Sequence, residues 1–321
     1  MNTEQMQAEK TVATFYEGFD IICEAAGFQD LTDGIYNGDP TTPYDQAQEN
    51  QLSYLLDQID CKEGSRILDI GCGNGNLLRH AQKRRATAIG ITLSPVQVQR
   101  CCNQALDVRL LNYRDIGDEW NHSFDAIIAN GSVEHFAQVV DAAEGRMDEI
   151  YREFFRICHR LINPASHSRK IATTIIHFGN ITADAKVLLK GRYSFRWGSP
   201  NFHYSLVTRT FGVFYPVSGQ LERCAEPCFK LQKEVDGTYD YYLTSEDCLR
   251  RGIHGMYHWK TASRFWYKTF FFFLHHPCCC IDMLACLPIA QSWNWQFRGK
   301  NAPTKLLRQT WEYQPCQTTT T

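Results

Sequence analysis

The chain has no strong imbalance of charge: 33 Lys and Arg stand against 35 Asp and Glu, a net charge of −2 over 321 residues. Nucleic-acid binders ordinarily carry a clear basic excess, so that class is set aside. An N-terminal apolar run is also missing. MNTEQMQAEK is polar and no apolar core follows it, which argues against a secretory leader. No C-x₂-C pair occurs, and the fourteen cysteines include the adjacent runs Cys101-Cys102 and Cys278-Cys279-Cys280. That pattern suits neither a zinc site nor a disulfide framework. The expectation is a cytoplasmic protein with no metal, its thiols reduced and mostly buried as small hydrophobes. A spanning helix needs about 20 largely uninterrupted apolar residues, and none is present. The most apolar part, Phe265 to Ala290, is broken by Lys268, His275-His276-Pro277 and Asp282. It reads as two short buried helices separated at Pro277, with peripheral contact at a membrane surface as the alternative.

What the chain does contain is one organising stretch, Ser65 to Gln99, SRILDIGCGNGNLLRHAQKRRATAIGITLSPVQVQ. Arg66 to Ile70 is a short apolar run that stops at Gly71-Cys72-Gly73-Asn74-Gly75. Leu77, Leu78 and Ala81 then recur at helical spacing, and Ala86 to Ile91 turns strand-like again. Glycines between a strand and a helix let backbone N–H groups approach a ligand closely. This is the signature of a cofactor site.

Further strands are expected at Val108 to Leu111, Phe124 to Ala129 and Ile171 to His177. Met147 to Ile162 is a helix, with acids early, bases late and a stop at Asn163-Pro164. Helices alternating with short apolar strands predict an α/β fold with a doubly wound, mostly parallel sheet. Residues 1–60 read as a helical flap, with an apolar stripe of Val12, Phe15, Phe19, Ile22 and Cys23 and a second helix starting at Thr42 or Asp45. Residues 61–178 form the core. Residues 179–230 read as an irregular aromatic lid. Within residues 231–321, Leu231 to Thr244 reads as a hairpin turning at Asp236-Gly237, followed by helices and a frayed tail.

A nicotinamide site would show G-x-G-x-x-G and an acid about 20 residues on. Here the spacing is G-x-G-x-G, and the second strand ends in Thr92-Leu93-Ser94. The full string, I-L-D-I-G-C-G-x-G with G-I-T-L-S-x-x-Q, resembles the S-adenosylmethionine (SAM) methyltransferases. Within them it is similar to the cyclopropane-fatty-acyl-phospholipid synthase family. Asn112-Tyr113-Arg114-Asp115, Ser132-Val133-Glu134-His135-Phe136 and Phe154-Phe155-Arg156-Ile157-Cys158-His159 extend the resemblance over roughly residues 45–178.

The resemblance implies SAM as cofactor and assigns roles. Gly71, Gly73 and Gly75 would admit its methionyl part, with Cys72 filling space in the turn. Asp69 would attract the ammonium, unless it is a structural cap. Thr92, Leu93 and Gln97 would meet the ribose. Asn112 and Tyr113 would meet the adenine edge and face, unless Tyr113 is a core aromatic. Asn130, just after the fourth strand, completes the set.

In the family a bicarbonate serves as base, held by a Cys, the Glu of F-E-H, the His of H-T-I and a C-terminal Tyr. Glu134 matches the Glu. Thr173 stands where the His belongs, Asp33 to Tyr36 contain no Cys, and Trp259 falls near the Tyr position with Tyr257 close by. The departure argues against bicarbonate-assisted cyclopropanation and for methyl transfer using protein groups. Glu134 and His135 are the leading candidates for base or substrate anchor, followed by Tyr257 and His258, with His177 and His254 behind them. Helix capping is the alternative for Glu134. The aromatic lid and apolar C-terminal half suggest a hydrophobic small-molecule or lipid substrate; the alternative is that these aromatics pack the cap.

Overall fold

The computed structural model describes residues 18, 21–28, 32–191, 194–277 and 286–315. Helix α1 (Tyr44–Gln58) leads into the alternating unit: β1 (Arg66–Ile70), α2 (Asn76–Lys83), β2 (Thr87–Thr92), α3 (Pro95–Cys102), β3 (Val108–Leu110) and β4 (Ala126–Asn130). The short α4 (Val139–Ala143), α5 (Met147–Leu161) and β5 (Lys170–Phe178) follow. The five strands run parallel in the order 3-2-1-4-5. Helix α5 is amphipathic as its sequence predicts. Ile150, Phe154, Phe155, Cys158 and Leu161 are buried, Asp148 and Glu149 sit in the first turn, and His159 and Arg160 in the last. Because β1 lies between β2 and β4, the chain reverses direction across the sheet at the ends of β1 and β4. Such switch points leave a crevice for ligands at the carboxyl ends of the strands.

The second half departs from expectation. Residues 179–230 are not irregular; they hold α6 (Ala185–Leu188), α7 (Pro200–Phe211) and α8 (Gln220–Ala225). Helix α7 carries ordinary boundary signals: Ser199 accepts from the Phe202 amide, Pro200 opens the helix, and Gly212 closes it in the left-handed conformation. High aromatic content masked them. The expected hairpin at Asp236-Gly237 does not form either. Strand β6 (Phe229–Asp236) ends there, and the Asp236 carboxylate accepts from the Thr238 amide at 2.9 Å, starting α9 (Thr238–Tyr257). The same turn chemistry that suits a hairpin here begins a helix. The partner of β6 is β7 (Thr304–Tyr313), antiparallel to both β5 and β6 and inserted between them. Most of its residues are buried, on both faces of the sheet, so TKLLRQTWEY shows no alternation that would have marked it as a strand.

Two further expectations meet the structure at the termini. Helices α10 (Trp259–His275) and α11 (Cys286–Trp295) flank Pro277 as predicted, but α10 is not buried; only Phe265 and Thr269 are. Of the N-terminal stripe, Val12, Phe15 and Phe19 lie outside the described residues, as does the threonine tail. Ile22 and Cys23 are buried in a helical stretch over residues 21–26.

Arg308 on β7 joins these parts. Its Nη2 donates to Asp33 Oδ2 at 2.6 Å and to the Gly34 carbonyl at 2.9 Å. Its Nε donates to Gln51 of α1 at 2.9 Å, and its Nη1 to Asp240 of α9 at 2.8 Å. Both Arg308 and Asp33 side chains are 2% exposed. Removing one partner of a buried ion pair strands the other charge in a medium that solvates it poorly. Arg308→Met is therefore expected to cost about 3–5 kcal/mol, read as a lowered urea midpoint. Adding Asp33→Asn should restore part of that loss; an unchanged midpoint in the single variant would sink this account.

Candidate cofactor and substrate site

The glycine cluster leaves β1 at the switch point and is anchored to β2: the Gly71 and Cys72 amides both donate to the Ile91 carbonyl, at 2.9 and 3.0 Å. Its glycines have different physical reasons. Gly71 has φ +83°, and a Cβ there would lie 2.5 Å from Ser132 Cβ. Ser132 is fixed in turn by donating to the Ile70 carbonyl at 2.6 Å. A neighbouring loop thus leaves Gly71 no room for a side chain. Gly75 likewise faces Leu106 and Cys101. At Gly73, with φ +52°, a Cβ would meet nothing within 4 Å. That open space is the cradle.

A cavity of about 1030 Å³ opens beside it, lined by Gly71, Gly73, Thr92, Leu93, Gln97, Asn112, Tyr113 and Asn130. Eight predicted cofactor residues therefore converge. At the end of β2, Thr92 Oγ1 donates to Gln97 Oε1 at 2.6 Å, and Ser94 caps α3 by accepting from the Gln97 amide. The side-chain amide nitrogen of Gln97 is left as the donor of that pair. Asn112 accepts from the Arg114 amide at 3.0 Å, which fixes the turn that carries Tyr113. The Tyr113 ring stacks on Phe136 with centroids 4.3 Å apart, so it is both cavity wall and core aromatic. Burial pushes its phenol well up. Asp69, Cys72 and Gly75 are not among the residues that line the cavity. Asp69 is buried within β1, and Cys72 packs its sulfur against Gly90.

Glu134 and His135 enter the cavity from the single helical turn Val133–His135 after β4. Sheet pairing of β4 with β5 ends at Asn130 and Thr174. The Ile176 amide, two residues further along β5, donates to Glu134 Oε2 at 3.2 Å. Burial pushes the Glu134 carboxyl up to about 8, against the lowering effect of that bond and with a small upward push from Asp33. At neutral pH it is largely a neutral acid. His135 Nδ1 lies 2.9 Å from the Phe211 carbonyl. A carbonyl only accepts, so Nδ1 carries the proton and Nε2 the lone pair. Burial takes this imidazole down to about 4, leaving it neutral.

The same cavity is walled by Ile176 of β5, Val207 and Phe211 of α7, Val213, Tyr215, and Tyr241 of α9. Asp33 reaches it from the leading segment, and Thr174 donates to Asn130 at 2.5 Å on its floor. None of Asp33, Thr174, Tyr215 or Tyr241 was singled out as a site residue in the sequence. Alternation along β5 was the usable signal for Thr174 and Ile176. Thr173 lies on the other face and accepts from Trp311 Nε1 at 3.1 Å. Tyr257 is 63% exposed and His258 caps α10; neither lines the cavity. Trp259, at 76% exposed, does not either. His177 is buried in the sheet, outside the lining.

A seven-stranded sheet of this order, with a glycine turn at its switch point, defines a Rossmann-like methyltransferase fold. Within that class the chain resembles the cyclopropane synthases: residues 32–184 match the family model for mycolic acid cyclopropane synthetase. It is 36% identical over 98 residues to the cyclopropane-fatty-acyl-phospholipid synthase of Escherichia coli K12, covering 28% of this chain and 24% of that one. To hydroxymycolate synthase MmaA4 of Mycobacterium tuberculosis it is 29% identical over 160 residues, covering 46% and 48%. The matches thus span less than half the length of these curated relatives. The crystal structure of mycolic acid cyclopropane synthase CmaA1, complexed with SAH and CTAB, superposes with a TM-score of 0.66 over 94% of this chain and 97% of that chain, at 17% identity.

The residues fit SAM on this chain's own geometry: the space above Gly73 and the side-chain amide donor of Gln97 open on one cavity with Tyr113 in its wall. Gly71→Ala should therefore cost about 2–3 kcal/mol of stability, through strain and overlap. Gly73→Ala should cost about 1–2 kcal/mol, the left-handed backbone alone. Chemical denaturation of the two variants decides; equal losses would remove the distinction. The raised carboxyl gives a second test. Folded Glu134 keeps its proton to about pH 8, whereas in the unfolded chain the carboxyl releases it near its ordinary value of 4.5. Between those values the unfolded state holds fewer protons, so stability falls as pH rises. The contribution is complete below about 4.5 and lost above about 8. Glu134→Gln should flatten that part of the stability profile, and an identical slope in both proteins would refute the assignment.

Proposed function

We propose that this protein is a SAM-dependent methyltransferase acting at carbon on a hydrophobic, lipid-like molecule. One observation carries the reading: a single cavity is walled by the glycine turn, Gln97 and Asn112 and also by Val207, Phe211, Val213 and Tyr215, with Glu134 opening onto the same space. SAM, when bound, supplies an electrophilic methyl on a sulfonium. The protein's contribution is to hold an apolar acceptor in line, exclude water and receive the proton that leaves the methylated carbon. Glu134 is assigned that last role, which it can fill only once ionised. His135 orients beside it as a neutral acceptor. The leading segment and residues 179–230 serve as flap and lid, and the adjacent cysteine runs suit a reducing, cytoplasmic setting.

Cyclopropanation is the second reading, favoured by the family match over residues 32–184. Against it stands Thr173, turned to Trp311 and away from the cavity where the resemblance calls for an anion ligand. Incubating the full chain with methyl-labelled SAM and a lipid extract tests both. The expected product keeps its carbon skeleton and gains a methyl, with a rate that rises to about pH 8 and falls about 10²–10⁴-fold in Glu134→Gln. Cyclopropane protons in the product's NMR spectrum, formed only with bicarbonate, would establish the second reading. SAM binding with no label transferred to any extract would overturn both in favour of a silent SAM-binding module.

A further inference from the structure

Helix α10 presents its aromatic side chains outward. Trp259 is 76% exposed, Tyr267 65%, Phe270 58% and Leu274 57%, with Trp266 and Phe273 each at 44%. At about 100° per residue these six positions fall within an arc of about 120°. The opposite side is anchored by Phe265, buried against Ile22 and Met256, and at the border of the arc Trp266 Nε1 donates to the Met256 carbonyl at 3.2 Å. The outward arc is therefore a fixed surface, not a helix awaiting a core. Contiguous exposed aromatics of this extent mark a docking face.

Charge says what docks. Helix α10 carries three Lys and Arg (Lys260, Arg264 and Lys268) and no Asp or Glu, whereas Arg250 and Arg251 near the end of α9 pair with Asp247. On α10 the three bases follow one edge of the aromatic arc. Lys260 lies 5.2 Å from the Trp259 ring centroid, while Arg264 and Lys268 share Glu24 from the residue 21–26 helix. Trp and Tyr beside Lys and Arg around a Phe/Leu face are the composition of a helix lying in a lipid interface. A second copy of the chain would bring like charge to the same edge. No described helix is long and apolar enough to cross a membrane, so the helix would lie on the surface.

We infer that α10 is an interfacial anchor that seats the protein on an anionic phospholipid surface. The residue 21–28 segment that packs against α10 also supplies Cys23 and Phe28 to the cavity wall. Docking thus brings the flap side of the cavity to the lipid. That placement rests on the proposed lipid-like substrate; the docking itself does not.

Co-sedimentation of the full chain with vesicles, without cofactor, tests it. The wild type should pellet with phosphatidylcholine–phosphatidylglycerol vesicles and bind pure phosphatidylcholine at least tenfold more weakly, with the difference shrinking at high salt. Phe270→Ser/Phe273→Ser/Leu274→Ser should lose at least tenfold in binding with its melting temperature and SAM affinity unchanged. Brominated lipid should quench fluorescence in the wild type more than in Trp259→Phe. The inference fails if the wild type stays in the supernatant with both vesicles, or if the triple variant binds as well as the wild type. It fails equally if light scattering shows a dimer that the triple substitution dissolves, which would make the face a contact between copies. SAM binding without vesicle binding would sink the anchor alone, and the reverse would sink the methyltransferase reading alone.

Discussion

The guanidinium of Arg308 is the constraint on which the site's closure depends. It lies almost fully buried, between Asp33 of the leading segment, Gln51 of α1 and Asp240 of α9. Each partner belongs to a different part of the chain. Gln51 passes the constraint on, donating to Asp33 at 3.0 Å and lying 3.5 Å from Asn130, which accepts from Thr174. The leading segment, the end of β4 and α9 are thereby tied together beside the cavity. A planar donor with five N–H groups in fixed directions can do this; a lysine in the same place could not.

Why this was hidden in the sequence follows from where Arg308 sits. The parallel half of the sheet and α5 were legible because their periodicities are strong: short apolar runs ending at glycine, and a helix with acids early and bases late. Strand β7 is covered on both faces, so its burial does not alternate and nothing in TKLLRQTWEY announces a strand. Its pairing with β5 and β6 spans more than 70 residues of chain in each case, a distance over which local patterns carry no information. Asp236-Gly237 misled for a related reason: the turn it encodes is compatible with a hairpin or a helix start, and only the location of β7 decides.

The site shows the same division. Residues reached from motif spacing, such as Gly73, Thr92, Gln97, Asn112 and Glu134, converge on one cavity. Asp69, Gly75 and Cys72 belong to the same motif but are not in the cavity lining; Gly75 packs against Leu106 and Cys101, and Cys72 against Gly90. Gly71 is the instructive case, since its lack of a side chain is demanded by Ser132. A glycine-rich string therefore mixes positions that a ligand requires with positions that the protein requires, and sequence alone cannot separate them.

Glu134 brings these themes together. A carboxyl placed there solely to cap the Ile176 amide would gain from being ionised, because a charged acceptor makes the stronger bond. The burial that surrounds it works the other way and wins, holding the carboxyl near 8. The protein thus keeps an acid in a neutral state at a cost to its stability that grows from about pH 4.5 to about 8, in a wall shared with hydrophobic side chains. A purely structural cap would be served as well by Gln, which satisfies the same amide without titrating. What Gln cannot do is exchange a proton, and that capability is what the proposed methyl transfer asks of Glu134.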